Sequence, residues 1–219
     1  MTATLREGGG RRARLSPDQR RAALVAAACA CLARGGLRDF TVDKVTAEAG
    51  VSRGLIAHHF GTMEGLLVAV YARLYGDWFD GLTAPVPGQT RIAAMIEALV
   101  SPRLFDRGVQ TVWLTLWGEI ATNAALRDEH RRQYAAYRRQ VVEALAEAAA
   151  GRPLDAEALA TAFICLTDGF AVQRCVEPSL LSEEAARAAC WALIGPHLGQ
   201  VTAKPASAAP QTALPRATA

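Results

Sequence analysis

The chain has 219 residues, 51% of them hydrophobic and 21% charged, with a formal net charge of +3. These proportions describe a globular protein able to bury a core and exclude a disordered polyelectrolyte. The charge is unevenly placed, since residues 1–60 carry ten Lys and Arg against Glu7, Asp18, Asp39, Asp43 and Glu48. A cation excess confined to one end suits phosphate binding by counterion release.

Residues 1–15 are rich in Gly and Arg (Arg6, Arg11, Arg12 and Arg14) and predict a flexible basic arm. This start has no adjoining apolar segment or cleavage site, so it does not read as a secretory leader. Ser16-Pro17-Asp18-Gln19 is a helix start, with an N-cap, a first-position proline and a capping-box partner. Leu24, Ala27, Ala28, Cys31 and Leu32 form the apolar stripe of that helix, and Gly35-Gly36 ends it. Phe40 is expected to wedge between this helix and the next two.

The stretch Thr41 to Leu67 is the most informative. Val42, Val45 and Ala49 fall three and four apart, on one face of a short helix. Gly50 allows a sharp turn, and Val51 fills the angle behind it. Ser52 reads as the N-cap of a second short helix, in which Arg53, Gly54, Ala57, His58 and His59 face outward and Ile56 and Phe60 inward. This is a helix-turn-helix, whose second helix can enter a DNA major groove. His58 and His59 do not suggest a metal site: neighbouring helical residues point about 100° apart, and no carboxylate or Cys stands at ligand spacing.

The segment resembles the DNA-binding domain of TetR-type transcriptional regulators, which carry the pattern T-x-x-x-h-x-x-x-A-G-V-S-x-G-x-h-x-x-x-F-x-x-K-x-x-L-h. Thr41, Ala49, Gly50, Val51, Ser52, Gly54, Ile56, Phe60 and Leu66 are in register with it. GLIAHHF is similar to the subgroup of the betaine-operon repressor, with an aliphatic residue at Leu55 and a small one at Ala57. The resemblance implies DNA contacts from Thr41, Lys44, Ser52, Arg53, Gly54, Leu55, Ala57, His58, His59 and Thr62, with Arg53 the first candidate for reading guanine. One departure is Met63, where the family has a lysine that contacts phosphate; Thr62 or an arginine of the arm can substitute.

A fourth helix is predicted over about residues 63–82, with Leu67, Val70, Tyr71, Leu74 and Trp78 on one side. It is long enough to connect the DNA-binding unit to the rest of the chain. Pro85, Pro87 and Gly88 mark a break, and helices follow to about residue 198. Val109, Val112, Trp113, Leu116, Trp117 and Ile120 give the clearest amphipathic stripe. Further helices are marked by Tyr134, Tyr137, Val141 and Leu145, by Leu159, Ala162, Phe163, Leu166 and Phe170, and by residues 183–198. The tail from about residue 201, mostly Ala, Pro and Thr, is expected to be disordered. No apolar run approaches the roughly 18 residues of a membrane span. The five cysteines (Cys29, Cys31, Cys165, Cys175 and Cys190) form no C-x-x-C pair and read as small buried thiols in a reducing cytoplasm.

The second half resembles the C-terminal domain of the same subgroup, in WLTLWGEIATNAALRDEHRRQY and LTDGFAVQRCVEPSLLSEEAARA. The fold implied is all-α: a three-helix DNA-binding domain at 16–62, joined by a fourth helix to an effector-binding and dimerisation domain at 63–200. The resemblance further implies a homodimer sealed by the helices at about 128–149 and 155–176, where Ala158, Ala162 and Gly169 permit close approach. Trp113 and Trp117 share a face, Glu119 borders their stripe beside Val112, and Asp168 and Gln173 interrupt an apolar helix. An aromatic pair beside a carboxylate can hold a cation. The same tryptophans can equally be core, and an apolar or aromatic ligand fits them as well. Trp78, Phe105, Trp113, Trp117, Glu119, Tyr137, Asp168 and Phe170 are the candidate ligand-binding residues.

No nucleophile–base pair, metal spacing or phosphate-cradling loop points to an enzyme, and no cofactor is implied. The expected function is a repressor on a near-palindromic operator, released by a small molecule. The alternative is a helical interaction or sensor module that has kept the fold and lost specific DNA binding.

Overall fold

The computed structural model describes residues 16–198, and no strand occurs among them. The basic arm expected at 1–15 and the tail expected from residue 201 lie outside the described residues.

Helix α1 (Pro17–Gly35) opens on a reciprocal cap. Ser16 Oγ accepts from the Gln19 amide at 3.2 Å, and Gln19 Oε1 accepts from the Ser16 amide at 2.8 Å. Two donors that no helical carbonyl can reach are thereby satisfied. Leu24, Ala27, Ala28, Cys31 and Leu32 are all buried. A 3-10 turn, Gly36–Arg38, leads to α2 (Val42–Ala49), capped by the Thr41 hydroxyl. Gly50 then turns the chain in the left-handed region at φ 63°, a conformation that costs a residue with a Cβ roughly 1–2 kcal/mol.

Helix α3 spans Gly54–Phe60, and its start differs from the expectation. Ser52 is not the N-cap. The cap position is Arg53, already in helical conformation, and no side chain accepts a bond there. The Leu55 and Ile56 amides bond the carbonyls of Ser52 and Arg53 instead, a tight turn that needs no side-chain cap. Ile56 is buried, and joins Leu24, Val45 and Leu66 in one core.

Helix α4 (Met63–Thr83) is capped by Thr62, whose hydroxyl accepts from the Gly65 amide at 3.0 Å. Five more helices follow: α5 (Arg91–Leu99), α6 (Arg107–Thr122), α7 (Ala124–Ala148), α8 (Ala156–Val176) and α9 (Glu183–Ile194). Their N-caps are Thr90, Asp106, Asn123, Asp155 and Ser182, each accepting from the amide three residues on. α4 packs against α1 and α3 on one side of the molecule and against α5 and α7 on the other. α8 is the middle of the second body, between α6, α7 and α9. α6 also packs on α1 and on the 3-10 turn, so two helices join the second body to the first.

α8 qualifies one expectation, and the cysteines correct another. α8 is long and apolar enough to cross a membrane, with a mean hydropathy of 1.3. Glu157, Asp168 and Arg174 divide it, so it contains no continuous apolar run of that length, and its inner face packs on three neighbouring helices. The cysteines are not all buried: Cys31 and Cys190 are, Cys29 and Cys175 are half-buried, and Cys165 is exposed on α8. Burial pushes the Cys29 thiol up to about 11 and that of Cys190 up to about 12, which suppresses the reactive thiolate.

Gly65 fixes the angle between α3 and α4. A Cβ there would meet the Phe60 carbonyl oxygen at 2.2 Å, a backbone atom that cannot rotate away. Gly65→Ala is therefore expected to destabilise the fold by about 1–3 kcal/mol, as measured by urea denaturation. Unchanged stability would mean that α3 is free to shift.

Candidate DNA-binding surface and ligand cavity

On α3 and its flanks, Ser52, Arg53, Gly54, Ala57 and His58 are exposed, as are Thr41, Lys44 and Thr62. Leu55 and His59 are half-buried, turned partly toward the core. Phe60 lies beneath the Arg21 guanidinium, which sits 5.0 Å from the ring centroid and fixes this end of α3 against α1. Arg53 pairs with Asp43 at 2.8 Å, and both side chains are more than 60% exposed. Lys44 pairs with Asp39, whose side chain is half-buried. Exposed pairs are worth about 0–1 kcal/mol, so either cation can leave its partner for a phosphate or a base at little cost. Thr41 and Thr62 use their hydroxyl oxygens as cap acceptors, which leaves each O–H proton to donate outward. Among the described residues no group of three His, Cys, Asp or Glu could hold a metal.

In the second body, α4, α6, α7 and α8 enclose a cavity of about 90 Å³. Seven of the eight ligand-binding candidates line it: Trp78, Phe105, Trp113, Trp117, Tyr137, Asp168 and Phe170. Glu119 does not. It stands two residues beyond Trp117, about 200° round the helix, on the face of Val112 rather than that of the tryptophans. Tyr75, His130 and Tyr134 are further wall residues that the sequence reading missed, with Gln110 and Thr167. Helical spacing was the available signal. Tyr75 precedes Trp78 by three residues, and His130 and Tyr134 precede Tyr137 by seven and three.

The rings meet edge to face. Trp78 stands 4.6 Å from Tyr137 and 6.2 Å from Trp113, and Tyr75 lies 5.2 Å from Trp78 and 5.9 Å from Trp113. Phe105 is turned in by Arg174, whose guanidinium lies 4.5 Å from the ring centroid and donates to the carbonyls of Phe105, Pro178 and Leu181. Gln110 donates to the Leu104 carbonyl, while its Oε1 and the Tyr75 hydroxyl are buried with no protein partner. Behind the wall, the hydroxyl of Tyr71 lies 2.8 Å from His130 Nδ1.

Asp168 is the one carboxylate in the lining, and no Lys or Arg accompanies it. In the single chain part of its surface is open to solvent, yet the dense surroundings of the rest push its carboxyl up to about 6. At neutral pH it is then mostly ionised, an unpaired negative charge among aromatic rings. Carbon-detected NMR titration is expected to find Asp168 half-protonated near pH 6; a midpoint near 4 would mean that water reaches the carboxylate freely.

Two family models match the chain. The model of the tetR family of bacterial regulatory proteins covers residues 24–70, and that of the C-terminal region of BetI-type transcriptional repressors covers residues 88–199. The regulator BetI of Vibrio atlanticus is 28% identical over 179 residues, 78% of this chain and 88% of that protein. BetI of Rhizobium meliloti is 29% identical over 190 residues, 82% of this chain and 89% of its own. Among solved structures, a transcriptional regulator from Pseudomonas aeruginosa PAO1 superimposes with a TM-score of 0.73 at 33% identity, covering 85% of this chain and 94% of that one. A regulator from Saccharomonospora viridis, solved in complex with choline, superimposes with a TM-score of 0.72 at 24% identity, covering 83% and 98%. At that identity the likeness is one of fold. The helix-turn-helix, the linking helix and the helical second body thus have one common explanation: the chain belongs to the tetR family of DNA-binding transcriptional regulators, with a C-terminal half of the BetI type.

Proposed function

We propose that the protein is a homodimeric repressor that holds a near-palindromic operator and releases it when a small quaternary ammonium cation fills the cavity. One observation carries the choice of ligand. The lining combines Trp78, Trp113, Trp117 and three tyrosines with a single carboxylate and no basic side chain other than His130, whose ionisation burial disfavours. Aromatic faces attract a cation by about 2 kcal/mol when it is desolvated, and an ionised Asp168 adds to this. An anionic ligand would meet that charge uncompensated. The choline held by the similarly folded Saccharomonospora viridis protein supports the same class.

Cation binding needs ionised Asp168. Because that carboxyl is raised to about 6, affinity is expected to be full above pH 7 and to fall below pH 6, by up to about tenfold per unit. Asp168→Asn is expected to weaken choline binding about tenfold or more and to flatten this profile, as read by calorimetry. Equal binding by the variant would point to an uncharged ligand.

Dimerisation is supported by the outer face of α8. There Ala158, Ala162, Cys165 and Val172 lie exposed in the single chain and Val176 is 72% open, while Leu180, in the 3-10 turn that follows, is 71% open. Such a face wants an apolar partner. Ala162→Glu is expected to yield monomers in sedimentation at micromolar concentration; Leu166 packs partly inward, so a charge there would test folding instead.

For the DNA, Arg53 and His58 are the proposed readers of base edges, and Lys44, Thr41 and Thr62 the proposed phosphate contacts. Arg53→Ala is expected to cost about 1–3 kcal/mol of specific binding and to leave non-specific binding nearly unchanged. Gel shifts on the DNA upstream of its own gene, with and without choline, test the reading as a whole. Release is proposed to run from the cavity through Trp78 on α4, and also through α6 to α1, to the spacing of the two recognition helices.

A further inference from the structure

The Tyr71–His130 hydrogen bond has no part in the packing account above, and its chemistry is unusually well determined. Tyr71 is fully buried on α4, one turn before Tyr75, and its ring stands edge-on to Trp113 at 5.8 Å. The protein group paired with its hydroxyl is His130 Nδ1 on α7, at 2.8 Å. A buried phenol must place its proton on an acceptor. Were Nδ1 protonated, the phenol oxygen would accept from it, and the phenol's own proton would be left without a protein acceptor. Nδ1 therefore accepts, and the neutral ring carries its own proton on Nε2. The low-polarity surroundings that lower the His130 pKa favour the same neutral form. His130 also lines the cavity, its ring tilted against that of Tyr134 with centroids 5.3 Å apart.

We propose that His130 is both a ligand contact and the polar link to α4: its Nε2–H donates to an acceptor atom of the cavity's occupant, while its Nδ1 holds the Tyr71 hydroxyl. This rests on the proposed release by a cavity ligand and adds the residues that transmit it. The packed walls pass a displacement to α4 through Trp78. The hydrogen bond adds a directional link, because moving the imidazole stretches or tilts its bond to Tyr71 away from the favoured geometry. Tyr71 sits on α4 directly after Leu66, Leu67 and Val70, which are buried in the core shared with α1 and α3. A pull on its hydroxyl therefore acts on the helix that carries the recognition unit. Coupling between sites needs such an element, whose arrangement both ligands bias.

Tyr71→Phe removes the hydroxyl and keeps the ring, and His130→Leu removes the acceptor that faces it. The measurement is the affinity for the upstream DNA with and without saturating choline, together with choline affinity without DNA. The wild type is expected to lose about 5- to 150-fold in DNA affinity when choline binds. Tyr71→Phe is expected to bind each partner alone within about threefold of wild type, with the coupling reduced toward one. Should that variant fail to fold, His130→Leu breaks the link from the other side: it is expected to weaken choline binding as well, and the coupling is again read as the ratio of DNA affinities without and with saturating choline. A spectroscopic signature checks the chemistry independently: the nitrogen shifts of His130 should report the Nε2–H form in the wild type and a mixture of tautomers in Tyr71→Phe. If choline leaves wild-type DNA affinity unmoved, both the proposed function and the link fall. If the wild type responds and Tyr71→Phe responds equally, or if His130 shows the Nδ1–H form, the link alone is overturned.

Discussion

Helix α4 has to bury two different surfaces at once, and the rest of the molecule is arranged around that demand. Its first turns place Leu66, Leu67 and Val70 in the core of the three DNA-binding helices, and its later turns place Tyr75 and Trp78 in the wall of the cavity. A helix of 21 residues is roughly 30 Å long and resists bending, because its backbone bonds must break to allow it. The two bodies therefore share a rigid strut rather than a flexible linker. A second connection, from α6 to α1 and the Gly36–Arg38 turn, keeps them from swinging freely about that strut. Here Gly36, at φ 59°, holds a conformation that residues with a Cβ rarely adopt.

The cavity is built from rings that hold one another in place. Edge-to-face contacts among Tyr71, Tyr75, Trp78, Trp113 and Tyr137 fix the rings' tilts. Two wall residues also carry buried polar atoms without a protein partner, Gln110 Oε1 and the Tyr75 hydroxyl. Asp168 adds the only negative charge. Its carboxyl, raised to about 6, loses little at neutral pH, where roughly nine molecules in ten are ionised. The surroundings make that charge costly enough to seek a partner without neutralising it.

The helix-turn-helix surface follows a different rule. Its cations rest on nearby acids, Arg53 on Asp43 in an exposed pair and Lys44 on the half-buried Asp39. Pairs so close to solvent orient the side chains but hold them weakly, so a cation can be released to another anion at little cost. Asp43 and Asp39 also lower the local positive charge.

How much of this was legible in the sequence depends on the range of the interaction responsible. The capping box at Ser16 and Gln19, the left-handed turn at Gly50 and the buried stripe of α1 are local, set by residues three or four apart, and they read directly. The helix-turn-helix is legible for the same reason. Ser52 was misread because a tight turn through backbone carbonyls replaced the side-chain cap that its residue type suggested. Tertiary structure alone decided the cavity. It gathered Trp113, Trp117, Tyr137 and Asp168 from three helices, and it excluded Glu119 because a helical face is chosen by what packs on it. Tyr71 and His130 lie 59 residues apart, and nothing in either neighbourhood announces the other. Local order is written in short-range sequence periodicity, whereas a cavity and its hydrogen bonds exist only once distant helices have chosen their neighbours.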